Sequence, residues 1–384
     1  MGSIQKEKYT SLQRVNLALN HEEPDRVPID FGSRETTIHE ETYTRLRNYL
    51  RINKKEIEYK QFFLKSIEVD KEILDFFGSD ILNFEIGMEK ASNPRLKIDY
   101  QNNIFKNEWG TEYKIARNGE YFHFYKFPLQ TIDKSDVNSL IWPSTYNRTD
   151  DIKNRINEEF NKKEKAILLS GVTGIVAIHW FLRGLENSYI DFAYQPTQTH
   201  YLFDKILDWQ IKMWNNILNN VGDYVHIIEA INDDVASEKG LLISLEHYRK
   251  FIKSRQKKLI DFIKSKIKAK IFAHSCGAIY EIIPDLIEIG VDILNPIQFT
   301  ANGMEGKRLK KNFGDNLVFC GGACSNLVLQ NEKPSIVEKE VKKNLEIFMK
   351  GGGYIFAPIH NIQAGVPVEN ILSLFKSAIK YGYY

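Results

Sequence analysis

Cysteine is scarce in this sequence, which has three such residues among 384, at positions 276, 320 and 324. A small, odd number argues against a disulfide framework and indicates a reducing compartment, which we take to be the cytoplasm. The first residues contain no apolar signal-peptide core, and no uncharged stretch reaches the length of a membrane span. We therefore expect a soluble cytoplasmic protein.

An excess of charge of one sign is also absent, because 52 basic and 50 acidic residues leave a net charge of +2. This balance excludes a general attraction to nucleic acid or to an anionic membrane surface. Internal repeats, low-complexity segments and linkers are lacking too. Since 43% of the residues are hydrophobic, the chain can bury a large core, and we predict a single domain over residues 1–384.

The sequence does have a regular alternation of apolar runs and amphipathic stretches. Eight runs predict strands, at residues 27–31, 81–84, 166–170, 225–231, 270–273, 291–295, 316–320 and 353–357. Helical periodicity fills most of the intervals between them. This order predicts an α/β fold, the (β/α)₈ TIM barrel, with an open doubly wound sheet as the alternative. An N-terminal helix at residues 11–20 and a β-hairpin insertion in residues 98–128, with its turn at residues 118–119, are expected to decorate the barrel.

Histidine and cysteine occur together after the fifth predicted strand, in His274-Ser275-Cys276, and His360 follows the eighth. Residues two apart at a strand end point to the same side, so His274 and Cys276 can bind one ion. Imidazole and thiolate both suit zinc, and a site with three protein ligands keeps a fourth position open for catalysis. The spacing therefore indicates a catalytic zinc site of His274, Cys276 and His360. A buried turn with an unrelated histidine is the alternative.

Polar residues that follow the other predicted strands become candidates by position, because active sites of this fold lie at the carboxyl ends of the strands. Glu229 and Asp233 are candidates to supply a proton or to hold the substrate. Arg34 and His39 are candidates to contact an anionic group of substrate or cofactor. The remaining candidates for binding substrate or cofactor are Asp30, Asn232 and Asn361. A loop cap is the alternative for such residues, and we favour it for Asp234 and Asn295.

Six motifs occur in a fixed order along the chain. They are EPDRVP (23–28), LRGLE (182–186), KGLLIS (239–244), HSCG (274–277), VDILNP (291–296) and GGYIFAP (352–358). Together they resemble the uroporphyrinogen decarboxylase superfamily, and more closely its corrinoid-linked methyltransferase branch. The resemblance covers nearly the whole chain and implies a (β/α)₈ barrel.

The resemblance also bears on the ligands of the expected zinc ion. Decarboxylases of the superfamily hold a tetrapyrrole with an arginine-rich N-terminal motif, whereas the loop at residues 30–37 reads DFGSRETT. The methyltransferase branch binds zinc through His-X-Cys, matched here by His274 and Cys276, and a later cysteine. His360 stands where that cysteine is expected, and Cys320 or Cys324 is the alternative third ligand. A second imidazole in place of a thiolate makes zinc a stronger Lewis acid, suited to polarising an oxygen.

The function that this resemblance implies is methyl transfer. We predict a zinc-dependent methyltransferase that moves a methyl group between a small methylated donor, such as a methoxy compound or a methylamine, and a corrinoid on a partner protein. The partner is implied by the resemblance alone, because the chain contains no Asp-X-His-X-X-Gly motif for binding cobalt. The alternatives are a methylcorrinoid-to-thiol methyltransferase, a metal-free decarboxylase and a non-catalytic binding protein.

Overall fold

The computed structural model of the protein describes residues 7–52, 57–86, 97–99, 101–115 and 121–384. The strands are β1 (Tyr59–Gln61), β2 (Ser66–Ile67), β3 (Ile81–Glu85), β4 (Lys97–Asp99), β5 (Ile104–Lys106), β6 (Glu112–Ile115), β7 (Phe122–Lys126), β8 (Ala166–Ser170), β9 (Ile227–Asn232), β10 (Lys270–His274), β11 (Ile293–Asn295), β12 (Val318–Cys320) and β13 (Tyr354–Ile355).

Helices fill most of the intervals between these strands. They are α1 (Ser11–Leu19), α2 (Glu40–Leu50), α3 (Lys71–Phe76), α4 (Lys134–Ser139), α5 (Lys153–Lys162), α6 (Ile175–Arg183), α7 (Leu185–Tyr194), α8 (Pro196–Val221), α9 (Leu245–His247), α10 (Ser254–Lys266), α11 (Ile283–Glu288), α12 (Gly306–Phe313), α13 (Asn326–Asn331), α14 (Pro334–Phe348) and α15 (Val368–Tyr381). A π-helix at Tyr248–Lys253 joins α9 to α10. Along the part of the chain that the structure describes, no helix combines the length and the apolar character needed to cross a membrane.

The central sheet is parallel and contains seven strands, in the order β3, β8, β9, β10, β11, β12, β13. Consecutive strands in this order are neighbours, and helices lie between them along the chain, as in a barrel built from βα units. Seven of the eight predicted strands are therefore confirmed, with small differences at their ends.

The remaining predicted strand, the first in the chain at residues 27–31, is not continuous and instead fills the gap between β13 and β3. Ile29 pairs with Phe356 in a single parallel bridge, and the Asp80 N–H donates to the Ile29 carbonyl over 2.7 Å. The ladder is interrupted because Pro28 has no N–H and the Ile29 N–H donates to the Asp80 side chain over 2.8 Å. The barrel is thus closed by one backbone bridge, between Ile29 and Phe356, together with the Asp80 side chain.

The inside of the barrel is filled by apolar side chains from alternate strand positions. They are Ile81, Ala166, Leu168, Ile227, Phe272, Ile293, Val318, Cys320, Ile355 and Ala357. Alternation follows from the pleat, which directs successive side chains to opposite faces of the sheet. On five strands the next inward position toward the carboxyl end is polar, so the opening at that end has a polar lining; these residues are Asn83, Ser170, Glu229, His274 and Asn295.

Helix α1 seals the other end of the barrel and confirms the predicted N-terminal helix. It begins with a capping box, in which the Thr10 hydroxyl accepts from the Gln13 N–H and the Gln13 side chain accepts from the Thr10 N–H. Val15 and Leu19 of α1 are buried against the interior side chains. The Leu12 N–H donates to the carbonyl of residue 164, just before β8, which places α1 at the amino ends of the strands.

Asp80 links α1 to the closing segment through two buried arginines. Arg14 Nη1 donates to Asp80 Oδ1 and Arg26 Nη1 donates to Asp80 Oδ2, each over 2.7 Å. Arg14 also donates to Asp25 Oδ1 over 2.8 Å. The side chains of Arg14, Arg26 and Asp80 are almost completely excluded from water. Removing one charge from such a network leaves the others buried without compensation.

The accessory β-structure is larger than the predicted hairpin. Strands β4 to β7 form a four-stranded antiparallel sheet in chain order, and the predicted turn at residues 118–119 lies outside the described residues. Phe105 stacks on Tyr113 in its core, with ring centroids 4.4 Å apart. The Tyr121 hydroxyl donates to Gln363 Oε1 over 2.8 Å, so the sheet is fastened to the loop that follows β13.

The buried charge network is expected to set the stability of the closed barrel. The substitution Asp80→Asn should lower the free energy of unfolding by about 3–5 kcal/mol, because it leaves two buried guanidiniums underpaired. Asp75→Asn is the matched control, since Asp75 pairs with Lys71 at the surface over 2.9 Å, and should cost at most about 1 kcal/mol. Urea unfolding followed by circular dichroism measures both. Equal losses in the two variants would contradict a special role for the network.

Candidate metal centre

The three predicted zinc ligands lie together at the carboxyl end of the barrel. His274 is the last residue of β10, Cys276 follows it by two positions, and His360 lies in the loop after β13. Their ligand atoms are all within 4.8 Å of one another, and His274 Nε2 is 3.5 Å from Cys276 Sγ. Ligands of one tetrahedral zinc ion lie at separations of this order, because metal–nitrogen and metal–sulfur bonds are about 2.0–2.3 Å.

Asn295 fixes the orientation of the His274 ring. Its Oδ1 lies 2.7 Å from His274 Nδ1, so Nδ1 donates a proton to Asn295, and Nε2 is the ring nitrogen that faces Cys276. Asn295 is held in turn by its own Nδ2, which donates to the Cys320 carbonyl over 3.2 Å. A partner on the second ring nitrogen is the usual way in which a metal-binding histidine is oriented. Asn295 ends β11 and is therefore not the loop cap that the sequence favoured.

The surroundings of Cys276 favour its thiolate form. Burial and the nearby Asp234 carboxylate both favour the neutral thiol, but the positive charges of His274 and His360 outweigh them and lower the pKa of Cys276. The thiolate is the form that binds a metal. Two imidazoles and a thiolate with these separations fit the donor set that zinc prefers.

Neither alternative cysteine takes the place of His360 in this cluster. Cys320 is buried among the apolar side chains inside the barrel, where burial raises the pKa of its thiol well above the usual range. Cys324 Sγ donates to Glu340 Oε2 over 3.1 Å. Among the described residues, the group whose ligand atoms converge is His274, Cys276 and His360.

Glu35 lies at this cluster, although the sequence did not single it out. Its Oε2 is 3.6 Å from His274 Nε2, and its Oε1 accepts from Asn232 Nδ2 over 2.7 Å. Burial opposes ionisation, but the charges of His274 and Arg34 outweigh burial and lower the pKa of Glu35. The signal available in the sequence was its position in the loop after the first predicted strand, beside Arg34.

A bulge in β9 brings two predicted residues, Glu229 and Asn232, to the same side. Phe272 pairs with Glu229 and Ala273 pairs with Ile231, so one residue of β9 is left without a partner on β10. The extra residue shifts the alternation, and positions three apart then face the barrel interior together. Asn232 Nδ2 donates to Glu229 Oε1 over 3.1 Å as well as to Glu35.

Glu229 is an acid that keeps its proton at neutral pH. It is buried, and its Oε2 has no hydrogen-bond partner among the described residues. Burial, followed by the negative charge of Glu35, raises the pKa of Glu229 to about 8. A carboxyl group with this pKa can give up a proton to a reacting group near pH 7.

Two further candidates, Asp30 and Arg34, shape the loop that carries Glu35. Asp30 Oδ1 accepts from the Ser33 hydroxyl and its Oδ2 accepts from Thr36 Oγ1 over 3.1 Å. Burial raises the pKa of Asp30 to about 6. The Arg34 guanidinium pairs with Glu85, and its Nε lies 3.3 Å from Glu35 Oε1. Arg34 is thus already matched to two carboxylates inside the barrel opening.

His39 and Asn361 support the rim of the opening. His39 Nδ1 accepts from the Glu41 N–H over 3.2 Å at the start of α2. Asn361 Oδ1 accepts from the Thr37 N–H over 3.0 Å, and so joins the loop after β13 to the closing segment. His39 and Asn361 thus both accept hydrogen bonds from main-chain N–H groups. Their role in substrate binding stays a prediction.

Asp233 points away from the metal cluster, toward the helices. Its Oδ1 accepts from the N–H groups of Val176 and Ala177 over 2.8 and 3.0 Å, and its Oδ2 accepts from Gln256 over 3.0 Å. A Cβ atom on Gly174 would lie 2.2 Å from Asp233 Oδ1, so glycine permits the approach. Asp233 therefore caps α6, and the catalytic role predicted for it stays a prediction.

Residues 127–381 of the chain match the uroporphyrinogen decarboxylase (URO-D) family. The chain belongs to this family. The matched residues run from the end of the accessory sheet to the last turn of α15, and include His274, Cys276 and His360. The superfamily indicated by the sequence motifs is thereby confirmed.

Three known proteins are similar to this URO-D family member. Two of them are methylcobamide:CoM methyltransferases MtaA, one from Methanosarcina barkeri and one from its strain Fusaro. They are 25% and 24% identical to this chain over 214 residues, which cover 56% of this chain and 58% of each relative. The chain thus spans little more than half the length of these curated relatives. A methyltransferase from Methanosarcina mazei matches with a TM-score of 0.64 at 19% identity, covering 97% of this chain and 99% of that chain. This match confirms the barrel fold.

A variant of Asp233 separates a capping role from a catalytic one. Asp233→Ala should lower the free energy of unfolding by roughly 1–3 kcal/mol, because two helix N–H groups and a buried amide lose their acceptor. Zinc bound per chain, measured by mass spectrometry, should not change. Unchanged stability in urea unfolding, together with lost activity, would instead support the catalytic prediction.

Proposed function

We propose that this URO-D family protein is a zinc-dependent methyltransferase, which moves a methyl group between a small methylated donor and a corrinoid carried by a partner protein. The observation that carries the proposal is the convergence of His274, Cys276 and His360, whose ligand atoms lie within 4.8 Å of one another. They lie at the end of the barrel where enzymes of this fold place their active sites. A metal-free decarboxylase would have no use for such a donor set.

Zinc held by these three residues would act as a Lewis acid on the heteroatom that carries the methyl group. The chain supplies one thiolate and two neutral imidazoles, so the bound ion would keep a formal charge of about +1. Asn295 keeps the His274 ring in the orientation that this requires, through the 2.7 Å contact to Nδ1. The donor set therefore suits a substrate whose oxygen or nitrogen must bear negative charge when its methyl group leaves.

Glu229 is the residue we assign to proton supply. When a methyl group is removed from a methoxy compound or a methylamine, the oxygen or nitrogen atom that carried it needs a proton. Glu229 can supply this proton, because it is a buried carboxyl group with a pKa raised to about 8. Asn232 positions it by donating to Oε1 over 3.1 Å. Proton transfer from a positioned acid contributes about 10²–10⁴-fold to a rate.

The relatives support methyl transfer as the reaction class and a corrinoid as one participant, since the curated ones are named for methylcobamide. That name also makes the reverse direction the second candidate, a transfer from a methylated corrinoid to a small acceptor such as a thiol. Recognition of a porphyrinogen with many carboxylates is disfavoured, because Arg34 is already paired with Glu85 and Glu35.

Zinc content tests the site directly. The purified chain should contain about one zinc ion, and His360→Ala should weaken zinc binding by at least about 10-fold, because a ligand is lost. His123→Ala is the matched control, since His123 is exposed on β7 and lies outside the cluster. Competition with a chromophoric chelator measures the affinity of each variant. Full zinc affinity in the His360 variant would remove His360 from the ligand set.

Methyl transfer to a free cobalt(I) corrinoid tests the reaction. Methoxylated aromatics, methylamines, methanol and thiols are offered in turn, and methylcobalt formation or its reversal is followed by absorbance. Activity should disappear when zinc is removed by a chelator and should return when zinc is added back. Activity that survives chelation, or decarboxylation in place of methyl transfer, would contradict the proposal.

The acid form of Glu229 predicts a particular pH dependence. In the demethylation direction kcat/KM should fall as pH rises through the pKa of Glu229, at or below about 8, because the proton donor is lost and bound zinc lowers that pKa. Glu229→Gln should reduce kcat/KM by about 10²-fold or more and remove this alkaline fall. An identical pH profile in the variant would exclude Glu229 as the proton donor.

A further inference from the structure

A carboxylate faces the three donor residues from the opposite side of the barrel opening. Glu35 belongs to the loop of residues 30–36, and its Oε2 lies 3.6 Å from His274 Nε2. This separation is close to the 3.5 Å between His274 Nε2 and Cys276 Sγ. Two donor atoms on one tetrahedral zinc ion, at metal distances of about 2.0–2.2 Å, lie roughly 3.3–3.6 Å apart. Glu35 Oε2 is therefore at the separation from His274 that two ligands of one ion have, although the ligand atoms that are all mutually close are those of His274, Cys276 and His360.

The environment of Glu35 holds its carboxylate in this direction. Oε1 accepts from Asn232 Nδ2 over 2.7 Å and lies 3.3 Å from Arg34 Nε, so Oε2 is the oxygen turned toward His274. Only 5% of the Glu35 surface is exposed. A buried anion needs compensation from a cation or from hydrogen bonds to both oxygens. A metal ion next to Oε2 would supply that compensation.

Asp234 is the competing carboxylate, and its contacts make it the weaker candidate. Its Oδ1 lies 3.7 Å from His274 Nε2, almost as close as Glu35. The same oxygen already accepts from the Cys276 N–H over 2.6 Å. The Asp234 side chain is also 46% exposed, against 6% for Glu35, so water can satisfy its charge.

We propose that Glu35 is a fourth, exchangeable ligand of the metal, which closes the site while substrate is absent. The inference rests on the proposed zinc site and adds how substrate gains access to it. On substrate binding Glu35 would give up its place on the metal to the heteroatom of the substrate, an exchange of ligands with no change of oxidation state. Asn232 remains bound to the released carboxylate and also holds Glu229.

A fourth anionic ligand has a consequence for reactivity. One thiolate and two imidazoles leave a bound dication at about +1, and a bound carboxylate would lower this to about zero. With Glu35 bound, the metal ion would therefore be a weak Lewis acid. Displacement of Glu35 by a neutral substrate would restore the charge of about +1. Glu35 would in this way restrict strong polarisation to the state in which substrate is bound.

Cobalt(II) in place of zinc provides the experiment, because its visible absorption reports ligand exchange without any turnover. The full-length chain is loaded with cobalt(II) and titrated with imidazole, a neutral ligand that must take the fourth position. Glu35→Gln should bind imidazole at least about 10-fold more tightly than the wild-type chain, since no carboxylate has to be displaced. Asp234→Asn removes a charge at nearly the same distance and should stay within about 3-fold of wild type.

The outcomes separate the two proposals. If wild-type protein binds cobalt(II) but Glu35→Gln leaves the imidazole affinity unchanged or weaker, Glu35 is not a ligand and this inference is overturned, while the proposed function stands. If Asp234→Asn alone tightens imidazole binding, Asp234 is the ligand and the inference is likewise overturned. If the wild-type chain binds neither cobalt nor zinc, the proposed function is contradicted, and so is the assignment of Glu35 as a ligand. Circular dichroism of both variants establishes that they fold.

Discussion

The buried pairing of Asp80 with Arg14 and Arg26 is the interaction on which the barrel opening depends. A parallel sheet of seven strands leaves a gap between β13 and β3, and the segment that fills it makes only one bridge to Phe356. Asp80 compensates for the missing ladder by binding the Ile29 N–H and both arginines. The loop that follows this segment carries Glu35, so the position of Glu35 relative to His274 is set from the opposite end of the barrel.

The polar lining of the opening follows from the alternation of side chains along the strands, with one irregularity, the bulge in β9. Alternation places His274 and Asn295 on the inside of adjacent strands, at partner positions that suit a histidine and the residue that orients it. Glu229 also faces inside by alternation, but Asn232 does so only because of the bulge in β9. Without that extra residue, Glu35 and Glu229 would lack the amide that holds them both.

Periodicity alone predicted seven barrel strands and the N-terminal helix, because both depend on local patterns of apolar residues. His274, Cys276 and His360 were also accessible, since each follows a strand whose end could be located. Glu35 and the capping role of Asp233 could not be predicted in the same way. They depend on which oxygen faces which neighbour across the barrel, and sequence spacing carries no information about contacts between residues 23 to 239 positions apart, the separations of Asp233 from Gln256 and of Glu35 from His274.

The charges inside the opening can be balanced either by protons on the two histidines or by a metal ion. Glu35 and the Cys276 thiolate are buried anions that lie against His274 and His360, and Arg34 pairs with Glu85 and with Glu35. Glu229 stays neutral, because burial and Glu35 raise its pKa to about 8. Burial opposes protonation of the two imidazoles, but Glu35 and Cys276 outweigh burial and raise the pKa of His274 and of His360, so without a metal ion these two rings carry the compensating positive charge. A zinc ion between His274, Cys276 and His360 would take the place of those two ring protons, so metal binding and the ionised state of Glu35 should stabilise one another.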